Sequence, residues 1–213
     1  MHITYDDRSP IVLAGGGGHC HAVIDVLESA DIPIAGVVHG PDCALTPVLG
    51  YPPLGHDADL PGLRKKFSQA LVTVGQIKTP RIRQTIFAKL RQLEFELPVI
   101  ISPLAHVSRY STIGEGSVVM HMAIVNAGTF IGNNCIINSK GLIEHDCNIA
   151  DHCHIAVGAI LCGKVTVNEG TFIGAGVVIK QKIHIGKRVI IGCGTTICDD
   201  VPDGTIVKGQ HYG

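Results

Sequence analysis

From residue 101 the chain repeats every six positions. Ile101, Val107 and Ile113 open a series that runs in one frame to Ile191 and Ile197, and all seventeen members are Ile, Val or Leu. The residue after the aliphatic is often Gly, as at Gly114, Gly132 and Gly186, and the fifth position of the hexad is usually small, as at Ala105, Ser111, Cys135 and Cys153. One aliphatic every six residues predicts a parallel β-helix, in which short strands are joined by tight turns and each aliphatic stacks on its counterpart one coil further on.

The first 98 residues follow other periods. Ile11 to Ala14 is an unbroken apolar run that predicts a buried strand, and Ala22, Val23, Val26 and Leu27 after it share one helical face. Ile34 to Val38 and Ala70 to Val74 predict two more strands, and Arg81 to Leu93 predicts a helix with Ile82, Ile86, Leu90 and Leu93 inward. Residues 41–56 carry four prolines and two glycines and predict a loop. The fold expected is a Rossmann-like βαβ domain over residues 1–98, followed by a β-helix over residues 99–213.

Composition agrees with thin, repeated aliphatic layers. The 213 residues are 46% hydrophobic but only 4% aromatic, with no Trp and 26 Gly, whereas a thick core fills its volume with rings. A charged fraction of 16% and a net charge of −1 leave no electrostatic footprint for nucleic acid. No apolar run is long enough to span a bilayer, and no basic-then-apolar leader opens the chain, so a cytoplasmic protein is expected. Eight cysteines without a CxxC pair fit small buried thiols rather than a disulfide scaffold.

Two clusters carry candidate chemistry. Gly15-Gly16-Gly17-Gly18-His19 lies between a predicted strand and a helix, where free main-chain N–H groups can hold phosphate oxygens. A tight turn alone would also explain the glycines. A dinucleotide fingerprint is disfavoured, because its last glycine position is Cys20 and no acid ends the second strand. The second cluster is Glu144-His145-Asp146-Cys147 with Asp151-His152-Cys153-His154 after it. His145 and Asp146 take outward positions of their hexad, and a histidine beside a carboxylate suits a general base. A solvated corner histidine is the plainer reading. His121, at the same hexad position one face round, is the alternative base. Cys147 and Cys153 occupy small repeat positions, which disfavours a covalent acyl-cysteine.

The hexads resemble those of the hexapeptide-repeat acyltransferases, whose fold is a left-handed β-helix with three hexads per coil. Taken with the Gly-rich loop ending in Gly-His and the run Ile143-Glu144-His145-Asp146, the whole chain resembles bacterial nucleotide-sugar N-acetyltransferases and the related sialic acid O-acetyltransferases. That resemblance implies acetyl transfer from acetyl-CoA to the 4-amino group of a UDP- or GDP-linked 4-amino-4,6-dideoxy sugar, with UDP preferred, in surface-glycan or nonulosonic acid biosynthesis. It implies His145 as base and Asp146 as the acid that tunes it. Gly17, Gly18, His19, Gly75 and Asn138 would meet the nucleotide sugar; His154 would lie beside the thioester, and Gly174, Ala175, Gly192 and Cys193 along the pantetheine arm. It further implies a homotrimer with acetyl-CoA between protomers and no metal. At the end of the second strand, where the family often has a pair of aspartates, this chain has His39-Gly40. The zinc hydratases of the same fold use two histidines five residues apart plus a third, and no two of the twelve histidines here stand five apart.

Overall fold

The computed structural model describes residues 9–209. Its first part is a parallel sheet of β1 (Ile11–Ala14), β2 (Ile34–His39), β3 (Pro53–His56) and β4 (Ala70–Val72), in the order β3-β2-β1-β4. Helices α1 (Gly18–Ser29), α2 (Leu60–Arg64) and α3 (Arg81–Gln92) cover it. The prolines of residues 41–56 hide a strand, because β3 is an edge strand and an edge tolerates Pro53 without losing a ladder hydrogen bond. β4 stops at Val72, two residues short of its expected end. On α3 the inward face is turned by one position: Ile86 and Leu90 are buried as expected, yet Ile82 is 60% exposed and Arg83 only 1%.

From Ile100 the chain forms eighteen two-residue strands, which wind as a left-handed parallel β-helix with faces of five, seven and six strands. Residues eighteen apart pair, as Ile137 does with Ile155 and Ile155 with Ile173, and these side chains are fully buried in one continuous interior stack. Ile and Val fill that narrow bore, and the phenylalanines Phe130 and Phe172 point outward. At every turn from Gly116 to Gly194 the fourth residue of the hexad has a positive φ. Asp146 and His152 are among them, at φ 58° and 61°, a conformation few side chains adopt.

The α/β part sits on the seven-stranded face. Outward residues there, Ile100, Val118 and Ile136, are at most 1% exposed, and the first two pack in one apolar cluster with Val23, Val26 and Leu27 of α1. This contact places the carboxyl ends of β1 and β4 beside the coils that carry Asn138 and His154, where His19 and Gln76 meet His154.

Candidate active site

The Gly-rich loop leaves β1 and enters α1 with Gly17 as N-cap. Gly15 and Gly16 are required by neighbours: a Cβ on Gly15 would fall 2.4 Å from Val74, and one on Gly16 would fall 2.6 Å from the His39 ring. Gly17 and Gly18 differ, since a Cβ there would meet nothing within 4 Å. Among the described residues no side chain caps the helix, and no acid stands in its first turn. Open space therefore faces main-chain N–H groups at the positive helix end, an arrangement that suits a phosphate. His39, at the end of β2, is 5% exposed, and its buried Nε2 has no partner among the described residues.

His19, in the first turn of α1, faces the β-helix. Gly75 packs against it, 3.4 Å from where a glycine Cβ would stand to the His19 Cβ, and the His154 ring centroid is 6.3 Å from its own. His19 Nε2 is buried and has no partner among the described residues. Burial, then the His154 and Arg83 charges, hold the His19 imidazole down at about 3. His154 is 7% exposed, edge-on to Phe172 at 5.2 Å. Its Nδ1 lies 2.8 Å from the Gln76 carbonyl oxygen and its Nε2 3.2 Å from Asn138 Nδ2. Burial lowers it to about 4, with Arg83 adding to the effect and the Gln76 hydrogen bond opposing it. His19, Gly75, Asn138 and His154 thus line one crevice, joined by Gln76, which the sequence did not single out.

His145 and Asp146 form a separate pair on an exposed corner. His145 Nδ1 is 3.0 Å from Asp146 Oδ2, and their side chains are 56% and 53% exposed. Two glycines in flanking coils make room for them. A Cβ on Gly163 would fall 2.6 Å from His145 Nε2, and one on Gly128 would fall 2.4 Å from Asp146 Oδ1. Because the acid faces Nδ1, the neutral ring carries its proton there and leaves a lone pair on Nε2, the state a general base needs. Among the described residues, no hydrogen bond links this pair to the crevice of the same chain.

His121 is not free to act as a base. Its Nδ1 meets Ser102 Oγ at 2.6 Å and its Nε2 meets Asp25 Oδ2 of α1 at 2.8 Å. The Ser-His-Asp order is that of a hydrolase triad, but Ser102 is 1% exposed and its hydroxyl already accepts the Leu104 N–H, so the chain braces α1 on the first coils. Gly174 and Gly192 have a packing reason of their own: a Cβ on either would fall 2.4–2.5 Å from main chain of the next coil. Ala175 is half-buried and Cys193 exposed beside them. Cys147 and Cys153 are buried, and burial raises both thiols, Cys147 to about 11, so neither is a ready thiolate nucleophile. Among the described residues no three His, Cys, Asp or Glu gather as a metal site, and no helix is long and apolar enough to cross a membrane.

No family model matches the chain; solved structures do. A His-to-Asn variant of perosamine N-acetyltransferase from Caulobacter crescentus, in complex with CoA and GDP-perosamine, is 34% identical over 95% of both chains, with a TM-score of 0.89. The acetyltransferase domain of PglB from Neisseria gonorrhoeae, in complex with acetyl coenzyme A, is 33% identical over 95% of this chain and 97% of that one, at a TM-score of 0.88. The chain belongs to the bacterial nucleotide-sugar N-acetyltransferases of the hexapeptide-repeat family. WeeI from Acinetobacter baumannii, 23% identical with a TM-score of 0.81, shares the fold. For this family member, the crevice and the corner pair are two places where residues expected from the sequence gather, and Gly174, Ala175, Gly192 and Cys193 stand apart from both on later coils.

Proposed function

We propose that the protein transfers the acetyl group of acetyl-CoA to the 4-amino group of a nucleoside-diphosphate-linked 4-amino-4,6-dideoxy sugar. The observation that carries this reading is the His145–Asp146 pair over Gly163, in a chain 34% identical to an enzyme whose structure holds CoA and GDP-perosamine. The uncapped start of α1, with Gly17, Gly18 and His19, would take the diphosphate. Gly75 and Asn138 would flank the sugar. His145 Nε2 removes the proton as the amine attacks the thioester carbonyl, Asp146 holds the ring in the right tautomer, and hydrogen-bond donors near the carbonyl stabilise the oxyanion; its collapse forms the amide, breaks the C–S bond and expels the CoA thiolate, which takes the proton back from the His145 imidazolium. Ala175 and Cys193, with Gly174 and Gly192, would border the pantetheine arm, near His154. A homotrimer would bring the corner pair of one chain to the crevice of another.

The family resemblance alone favours UDP as the nucleotide, and the GDP-perosamine complex of the Caulobacter enzyme makes GDP the competing choice. Thiol release from acetyl-CoA, assayed with UDP- and GDP-4-amino sugars and with free sialic acid, tests the reading. Amide formation on one of the nucleotide sugars is expected. Activity confined to free sialic acid would establish an O-acetyltransferase instead, and stoichiometric zinc in active protein would point to a hydratase-like site.

A further inference from the structure

The hydrogen bonds around His154 decide where its proton sits. The Gln76 carbonyl oxygen, 2.8 Å from Nδ1, can only accept, so Nδ1 carries a hydrogen. On the other side, Asn138 cannot turn over: its Oδ1 accepts the Ser139 N–H at 2.8 Å, which points the amide NH2 group at His154 Nε2, 3.2 Å away. A donor facing Nε2 requires a lone pair there. His154 is therefore the neutral Nδ1–H tautomer, clamped between Phe172 and His19.

Gln76 is itself held at both ends of its side chain. Its Nε2 donates to the Gly170 carbonyl at 3.0 Å, and its Oε1 accepts from Arg83 Nη1 at 3.3 Å. Arg83 also donates to the main-chain oxygen and Oδ1 of Asn134, whose amide in turn reaches His152 Nδ1 at 2.9 Å. Arg83 is 1% exposed, and among the described residues its Nε has no partner and no carboxylate pairs with it. A lone buried guanidinium is costly where an apolar side chain could dock α3 equally well. Its cost makes sense as a fixed donor for Gln76 and Asn134 and as a positive charge that opposes a second proton on His154.

We propose that Gln76 and Arg83 are positioning residues that keep His154 in the Nδ1–H tautomer, so that Nε2 accepts a hydrogen bond from an N–H or O–H of the acyl acceptor and donates none to the thioester oxygen. This rests on the acetyl-transfer reading and assigns the oxyanion contact to other donors, such as main-chain N–H groups. It also gives Asn138 a second duty, as the amide that occupies Nε2 until the substrate arrives.

The test is nitrogen NMR of the full-length protein labelled at histidine, with the His154 signals identified by their loss in His154→Gln. At neutral pH the unmodified protein should show a protonated Nδ1 and an unprotonated Nε2. This reading needs no substrate and no second variant, and a protonated Nε2 overturns the proposal. Gln76→Ala and Arg83→Met should mix the two tautomers and lower kcat about tenfold, with KM for acetyl-CoA within about twofold. Arg83→Lys, which keeps a charge and donors, should recover most of both. A fall in kcat with unchanged His154 signals would mark a merely structural role, and mixed tautomers at full kcat would show that the tautomer does not matter; either overturns the proposal. If no amino sugar is acetylated by the unmodified protein, the transfer reading fails and the role in transfer with it, while the tautomer is still read directly.

Discussion

His145 owes its exposure and its free Nε2 to a residue eighteen positions away. One coil is eighteen residues, so Gly163 lies directly beneath the imidazole, and Gly128 lies one coil before Asp146. Gly163 has an ordinary backbone conformation, unlike the positive-φ glycines of the turns, so a side chain there is excluded by the His145 ring, which it would meet first. His145→Ala should lower turnover by roughly 10² or more with little change in nucleotide-sugar affinity; steady-state rates beside calorimetric binding measure both, and near-normal turnover would remove the base assignment. Asp146→Asn should cost less, since the ring remains, the amide oxygen can still accept from Nδ1–H, and only the carboxylate's charge is lost. Gly163→Ala is expected to cut kcat about tenfold while the thermal midpoint moves little, and a loss of stability with normal kcat would refute the link. His145 and Asp146 were legible in the sequence because a histidine beside an acid at an outward position is a local signal. Gly163 was not, although a glycine at the third hexad position, one coil after a candidate base, is a signal that could have revealed it. Gln76 and Arg83 had no local signal at all, since their partners come from other elements.

Elements were legible to the degree that their periodicity was free of competing demands. The hexad shows through because each inward position sees the same narrow bore, so Ile137, Ile155 and Ile173 report one environment. β3 was lost because its prolines suit an edge, and α3 was misphased because a polar crevice, not the core, claims Arg83. That crevice between α1 and the coil bearing His154 should govern acid stability. The His19 and His154 imidazoles are held at about 3 and 4 in the folded protein and return to about 6.5 when unfolded. Between those limits the unfolded chain binds more protons, so stability is full above about pH 6.5 and declines as pH falls, by up to about 1.4 kcal/mol per pH unit for each group. The thermal midpoint should therefore drop from about pH 7 to about pH 5, and His154→Gln should flatten the drop. An equal drop in that variant would place the acid sensitivity elsewhere.

At the scale of the molecule the three faces of the β-helix are unequal. The α/β part covers the seven-stranded face, and the five-stranded face presents Thr112, Asn148, Thr166 and His184 outward around Phe130. The six-stranded face presents Ile124, Leu142, Ile160 and Val178, a row of aliphatics suited to association. The proposed trimer would use it and would also complete the site, because among the described residues the His145 corner and the His154 crevice make no hydrogen bond within one chain. Mixing subunits tests this. A His145→Ala chain keeps its crevice and a His154→Gln chain keeps its base, so if each site takes one part from each of two chains, co-refolding the two inactive proteins should restore about a quarter of normal activity, the chance that both intact parts meet. Sites built within one chain would stay at the residual rate of the parents at any mixing ratio. Adding Ile160→Glu to both chains should prevent recovery and give monomers by sedimentation. Recovery by monomers would mean that the two clusters meet without the aliphatic face.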